Sequence, residues 1–224
     1  MEPPQKQPSN LDRYKQLRSS TKNMSSKLHR AKDGNHFDMI KAAKKLTIPV
    51  DDRTLVFDGE SDMCALEDFY FHDFWVGGRR YVDFCDPLQL GLDQNENELL
   101  IAMRGNRSSL FAPSAYDDGE KTVTLKDILQ PDLPDVILTD ISMTKSVAAM
   151  GEILLFFRVL KCGQLQMSSG CFFGFEAKHR EMLLELYKRR MVSVLAKDRA
   201  ERTFIFFYQQ SKKIGMNMET ASAN

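Results

Sequence analysis

Seven residues between positions 58 and 73 have the types and spacing for chemistry: Asp58, Glu60, Asp62, Glu67, Asp68, His72 and Asp73. On a helix, Asp68 and His72 stand four apart and share a face. A carboxylate and an imidazole one turn apart could hold a divalent metal if Asp58 or Asp62 closed the set. Such a centre would make a bound water acidic enough to attack near neutral pH, which is metal-dependent hydrolysis. The same acids have a plainer reading. Carboxylates at a helix start suit the positive end of the helix dipole, and an acidic stripe keeps one face of an aromatic helix in water. We take the plainer reading as the expectation and keep the hydrolase, with Asp58, Asp62, Asp68 and His72 as ligands, as the alternative.

Other candidates are sparser. His29, His36 and His179 lie beside basic or turn residues and read as surface groups. There is no GxSxG elbow for a serine nucleophile. Cys64, Cys85, Cys162 and Cys171 form no CxxC pair and read as small buried thiols. A hairpin turn at Gly163-Gln164 would set Cys171 opposite about Phe156, away from Cys162. Gly77-Gly78-Arg79-Arg80 could grip an anion through freed amides and Arg79 and Arg80, although it lacks the frame of a phosphate loop. The basic cluster Lys178, Arg180, Lys188, Arg189 and Arg190, near Phe172, Phe173 and Phe175, resembles a stacking platform with a cationic edge. Aromatic residues in a terminal strand are more often core, so nucleic acid is a weakly supported partner.

Segregated charge, together with the lack of catalytic motifs, motivates a binding role, and its plainer reading is that basic ends pack near an acidic centre and aid solubility. The chain is neutral, but its net charge is +7 over residues 1–50, −13 over 51–140 and +6 over 141–224. Blocks of this kind can fold into faces that meet an anionic partner. Apolar runs such as Ile153–Phe157 are far short of the roughly 20 residues that cross a bilayer. No apolar signal segment follows Met1, so a soluble, cytoplasmic protein is expected.

The elements that must position these residues follow from periodicity. Residues 1–9 read as a disordered leader. Ser9 or Asn10 caps a helix carrying Leu11, Tyr14, Leu17, Met24 and Leu28, which ends before Asp33-Gly34. A second helix runs from Phe37 to Leu46 and stops at Ile48-Pro49. A turn at Asp51–Arg53 leads to an extended Thr54–Phe57. Asp58 or Ser61 then caps an aromatic helix that continues through Phe74 and Trp75 until Gly77-Gly78 breaks it. A helical turn over 79–84 and a helix over 95–103 complete a helical N-terminal half. Short strands at 110–116, 121–125, 136–141, 153–160 and 165–175 predict a five-stranded antiparallel sheet curled into a barrel-like unit. Pro113 requires an edge or a bulge. C-terminal helices over 176–195 and 199–214 pack back, the first with Met182, Leu183, Leu186, Tyr187, Met191 and Val194 inward. Residues 216–224 read as a frayed tail.

Several of these stretches look familiar in order. They are Leu55-Val56-Phe57-Asp58, Glu60-Ser61-Asp62-Met63, Leu66-Glu67-Asp68-Phe69, Thr124–Leu129, Leu138-Thr139-Asp140-Ile141, Leu154–Arg158 and Met167-Ser168-Ser169-Gly170. Over residues 50–215 the chain resembles an uncharacterised bacterial family of about this length with no assigned activity. Pro113 and the turn after it depart from that pattern. The resemblance supports the segment order and carries over no site residues, cofactor or partner.

The reading is therefore an α+β protein with regions at 10–94, 95–175 and 176–215. It is expected to be non-enzymatic and without a cofactor. It would act as an accessory or adaptor that binds an unidentified protein or anionic partner through the β-unit and the basic helix.

Overall fold

The structure, a computed structural model, describes residues 9–30 and 36–216, with His36 and Phe37 described by backbone alone. Apart from Ser9 and Met216, the expected leader and tail lie outside the described residues, as does the Asp33-Gly34 turn. Helix α1 (Asn10–Arg30) starts as expected. The Ser9 hydroxyl accepts the Asp12 amide at 3.1 Å, which satisfies one orphan donor of the first turn. Its stripe of Tyr14, Leu17, Met24 and Leu28 is buried. Helix α2 (His36–Leu46) follows. A two-residue hairpin, β1 (Val50–Asp51) with β2 (Thr54–Leu55), then reverses the chain through Asp52 and Arg53, both at positive φ.

Helix α3 (Glu60–His72) departs from expectation at both ends. Gly59 is its N-cap and makes no side-chain cap, so neither Asp58 nor Ser61 caps it. Asp62 instead accepts the Asp58 amide at 3.1 Å. The helix also stops at His72, short of Trp75. Gly77 and Gly78, at φ 58° and 85°, are the turn of a hairpin between β3 (Trp75–Val76) and β4 (Arg79–Arg80), not a helix stop. Two consecutive residues at positive φ suit the twist of a tight hairpin, and glycine adopts them without strain. Trp75 is consequently 40% exposed instead of lying in the core. Helices α4 (Tyr81–Phe84) and α5 (Gln94–Arg104) follow, α5 opening on a reciprocal capping box between Asp93 and Glu96.

The strands are β5 (Arg107–Asp117), β6 (Thr122–Asp127), β7 (Val136–Thr139), β8 (Ile153–Cys162) and β9 (Leu165–Glu176). They form one antiparallel sheet in the order β7-β6-β5-β8-β9. It is open; the expected barrel does not close. The four-residue β7 leaves the sheet at Asp140, which caps a helix absent from the sequence reading, α6 (Ile141–Met150). Side chains bridge the edges instead. Asp140 Oδ2 accepts Ser168 Oγ of β9 at 2.6 Å and Arg18 Nη2 of α1 at 2.7 Å. Pro113 sits where the β5–β6 register shifts, beyond the end of β5–β8 pairing at Phe111, so its missing N–H costs no ladder bond to β8.

After a 3₁₀ turn (Ala177–His179) come α7 (Arg180–Met191), a second turn (Ala196–Asp198) and α8 (Arg199–Ile214). Helix α7 is shorter and more exposed than its apolar spacing predicts. Leu183 and Met191 are buried, whereas Met182 and Leu186 are open to solvent. Helix α8 drives Phe204 and Phe207 into the sheet, and the Phe207 ring stacks on Phe156 at 4.4 Å.

Burial on both faces explains why β8 is an almost continuous apolar run. One cluster joins Leu17 of α1 and Phe69 of α3 to Phe156, Phe173 and Phe207. The other face packs Phe111, Phe157 and Leu155 under Met143 and Val147 of α6. Arg158 is the one buried charge in that strand, Lys161 near its end being exposed.

Candidate functional site

The acids that suggested a metal centre divide between two basic side chains. Asp58 and Asp62 both accept from Lys212 Nζ on α8, at 3.1 Å and 3.0 Å, and Asp62 also accepts from the Tyr208 hydroxyl at 2.9 Å. Asp68 belongs to Arg158, whose Nε donates to Asp68 Oδ2 at 2.9 Å. Arg158 Nη2 donates to Asp73 Oδ2 at 2.5 Å, and Nη1 donates to Asn106 Oδ1. His72 meets this group through its Nδ1, 2.9 Å from Asn106 Nδ2, with its Nε2 3.9 Å from Asp68. Thus Asp58 and Asp62 are brought together, as are Asp68 and His72, but the four do not form one set. Among the described residues no group of three or more His, Cys, Asp or Glu is placed to hold a metal ion.

Electrostatics inside the second group are those of a buried ion pair. Burial and the Arg158 charge push the His72 pKa down to about 3, so the ring is neutral. For Asp68, burial opposes ionisation, yet the Arg158 guanidinium outweighs it and holds the carboxyl below its usual range. Burial prevails at Asp73, whose pKa is raised despite the same guanidinium. Two carboxylates facing one buried cation neutralise it, which is how a fully enclosed arginine is tolerated.

One wall of this cluster opens into a groove. Its inner part, about 430 Å³, has Arg158, Asp73 and Asn106 at its floor and Arg80, Arg107 and Arg199 on its sides. The outer part, about 630 Å³, runs along α7 past Arg180 and Lys188 and shares Leu129, Tyr187 and Arg199 with the inner part. The two cavities adjoin at those shared residues, and six basic side chains line the groove they make against two carboxylates, Asp73 and Asp127. Both carboxylates are spoken for, Asp73 by Arg158 and Asp127 by Arg107. Among the described residues no carboxylate pairs with Arg180, Lys188 or Arg199. Apolar walls complete the groove: Ile128, Leu129 and Pro131 opposite Tyr187, Met191 and Val192.

Asp127 builds the rim. It is buried at the end of β6 and accepts Ser109 Oγ at 2.5 Å and the amides of Leu129 and Gln130 at 3.0 Å and 2.9 Å. These bonds fold the chain leaving β6 into a tight turn that presents Leu129 and Gln130 to the groove.

The structure sorts the residues expected to bind. Arg180 and Lys188 line the groove, and so does Arg80, although Asp83 and the Arg104 carbonyl hold its guanidinium at 3.0 Å and 2.9 Å. Lys178 pairs with Glu176 at 2.6 Å, and Arg189 pairs with Glu185 one turn away. Arg190 is exposed outside the groove, and Arg79 lies over the Phe84 ring at 5.8 Å. The supposed stacking platform is core: Phe173 and Phe175 are buried, and Phe172 packs in part against the second cluster. Sequence reasoning missed Arg107 and Arg158. For Arg158 a signal was present, a single charge inside Leu154–Leu160. A charge there must be buried, and a buried charge requires partners.

An open antiparallel sheet covered by helices on both faces, with a neutralised arginine beneath a basic cleft, defines an α+β protein with a groove on one flank. A family model described as a family of unknown function (DUF7986) matches residues 8–221, and the chain belongs to that family. No curated protein and no solved structure matches it. Among the described residues no helix is long and apolar enough to cross a membrane.

Proposed function

We propose that this protein is a binding module that receives an acidic, partly apolar segment of a protein partner in the groove between α7, the start of α8 and the turn after β6. One observation carries the reading: six basic side chains share a groove with two carboxylates that are already paired, and among the described residues three of the cations have no carboxylate of their own. Unpaired cations beside apolar walls suit a ligand offering carboxylates and hydrophobic side chains together. Charge complementarity of this kind steers encounter and fixes register, while the apolar contacts slow release. A polypeptide fits better than a single-stranded nucleic acid, because Phe173 and Phe175 are in the core and offer no ring for base stacking.

A fluorescein-labelled peptide of alternating glutamate and leucine, followed by anisotropy, tests this. Wild-type protein binds it with an affinity that falls as salt rises. Arg180→Glu, Lys188→Glu and Arg199→Glu together weaken it by about tenfold or more, since like charges then face the ligand. Unchanged affinity in the triple variant, or tighter binding of a single-stranded oligonucleotide of equal charge, contradicts the reading.

A further inference from the structure

A second cavity, of about 390 Å³, lies between α1, α3 and the sheet, apart from the basic groove. It is lined largely by apolar side chains such as Met24, Leu28 and Phe71, and it holds two of the four cysteines, Cys64 and Cys171. Cys64 is on α3, half-buried, one turn before Asp68 and on the same face. Cys171 is buried on β9, beside the irregularity in β8–β9 pairing between Phe157 and Val159. Helix α3 packs against β9 here, and the two thiols line the same cavity, close enough for Cys64 to be the largest influence on the Cys171 proton. Neither forms a disulfide in this structure.

We propose that Cys64 and Cys171 are a peroxide-reactive dithiol, with Cys64 the attacking sulfur and Cys171 the resolving one. The assignment follows from access. Cys64 is the partly exposed member at the cavity wall, whereas the Cys171 thiol, beside Cys64 and buried, is pushed well above its ordinary pKa and is the harder to ionise. In the first step the Cys64 thiolate attacks one peroxide oxygen. An S–O bond forms, the O–O bond breaks, and the departing hydroxide takes up a proton as water, leaving a sulfenic acid. In the second, the Cys171 sulfur attacks the Cys64 sulfur. The S–S bond forms, the S–O bond breaks, and hydroxide leaves with the Cys171 proton as a second water. Two thiols are oxidised to one disulfide, and one hydrogen peroxide is reduced to two waters. The product ties α3 to β9 across the cavity.

The test is mass spectrometry of the intact protein treated with hydrogen peroxide, blocked with N-ethylmaleimide and digested without reductant. The expected product is a Cys64–Cys171 cross-linked peptide, with Cys85 and Cys162 alkylated. Cys171→Ser, which removes the resolving thiol, leaves Cys64 as a sulfenic acid that dimedone captures. Cys64→Ser leaves Cys171 reduced. Three results overturn the proposal: no cross-linked peptide from wild-type protein, a disulfide through Cys85 or Cys162, or dimedone labelling of Cys64 as fast in wild type as in Cys171→Ser. Wild-type peptide mapping decides the matter even if a variant folds poorly.

Discussion

Arg158 in the middle of β8 donates to Asp73, just beyond the end of α3, at 2.5 Å, and both side chains are almost wholly enclosed. With Asp68, this pair fastens the aromatic helix to the centre of the sheet, and it also floors the groove. Removing the guanidinium strands two buried carboxylates. Arg158→Met is expected to destabilise the protein by about 3–5 kcal/mol in urea unfolding, the range for breaking a buried pair from one side. Adding Asp68→Asn and Asp73→Asn to that variant should recover much of the loss, because the uncompensated charge is then gone. A mild effect of Arg158→Met alone would show that the pair is not the fastener described.

The same enclosure predicts an acid-sensitive fold. In the native state His72 stays neutral down to about pH 3, whereas in the unfolded chain it takes a proton near its ordinary 6.5. Its contribution is therefore complete above about 6.5 and is lost as pH falls from there towards 3, at no more than about 1.4 kcal/mol per pH unit. Asp68, held below its usual value, acts in the same direction at lower pH. Asp73 opposes both, since its raised pKa gives a contribution that fades as pH rises through it. Melting temperatures between pH 7 and 4.5 should fall for wild type, with a shallower fall over pH 6.5–5 for His72→Gln. Parallel curves would remove His72 from the account.

Gly170 is expected to reject a side chain. Its φ of +106° lies where L-residues are strained, and a Cβ there would sit 3.4 Å from Arg18 Nη1. Arg18 is one of the groups bridging the sheet edges through Asp140 and Ser168. Gly170→Ala should cost about 1–3 kcal/mol in chemical unfolding, the scale of a residue forced into a sparsely populated backbone region. Wild-type stability in this variant would mean that the bend is permissive.

These residues also show what the sequence could disclose. The irregular pairing of β9 lies at Ser168-Ser169-Gly170, a run of small residues plain in the sequence. The helix at 199–214 was only half legible, since Phe204–Tyr208 has the composition of a strand and the basic last turn before Gly215 favours a helix; Pro113, a residue without an amide, pointed to an edge or a bulge, and the register shifts there. Local patterns misled where one signal has two meanings. Gly77-Gly78 ends a helix or turns a hairpin, and only the pairing of Trp75 with Arg80 selects the second. Apolar Met182 and Leu186 suggest an inward face on α7, but how the helix sits on the sheet follows from distant contacts. The same limit hid the groove. Arg80, Arg107, Arg180 and Arg199 are far apart in sequence, and no spacing rule gathers them. The cluster at 188–190 drew notice through its run of charge, yet only Lys188 of the three lines the groove.

That distinction yields a pair of variants with opposite expectations. Arg189→Glu with Arg190→Glu changes the run of charge while sparing the groove, and should alter affinity for the glutamate–leucine peptide by less than about threefold through long-range screening alone. Arg180→Glu with Arg199→Glu carries the same formal change and should have a much larger effect. Equal effects would mean that net charge, not the groove, attracts the ligand.

Amide hydrogen exchange with and without the glutamate–leucine peptide probes the central claim most directly. The peptide should slow exchange along α7, at the first turn of α8 and in the turn that follows Asp127. If protection instead falls on α1 and α3 around the cysteine-lined cavity, or nowhere, the basic groove is not where this protein meets its partner.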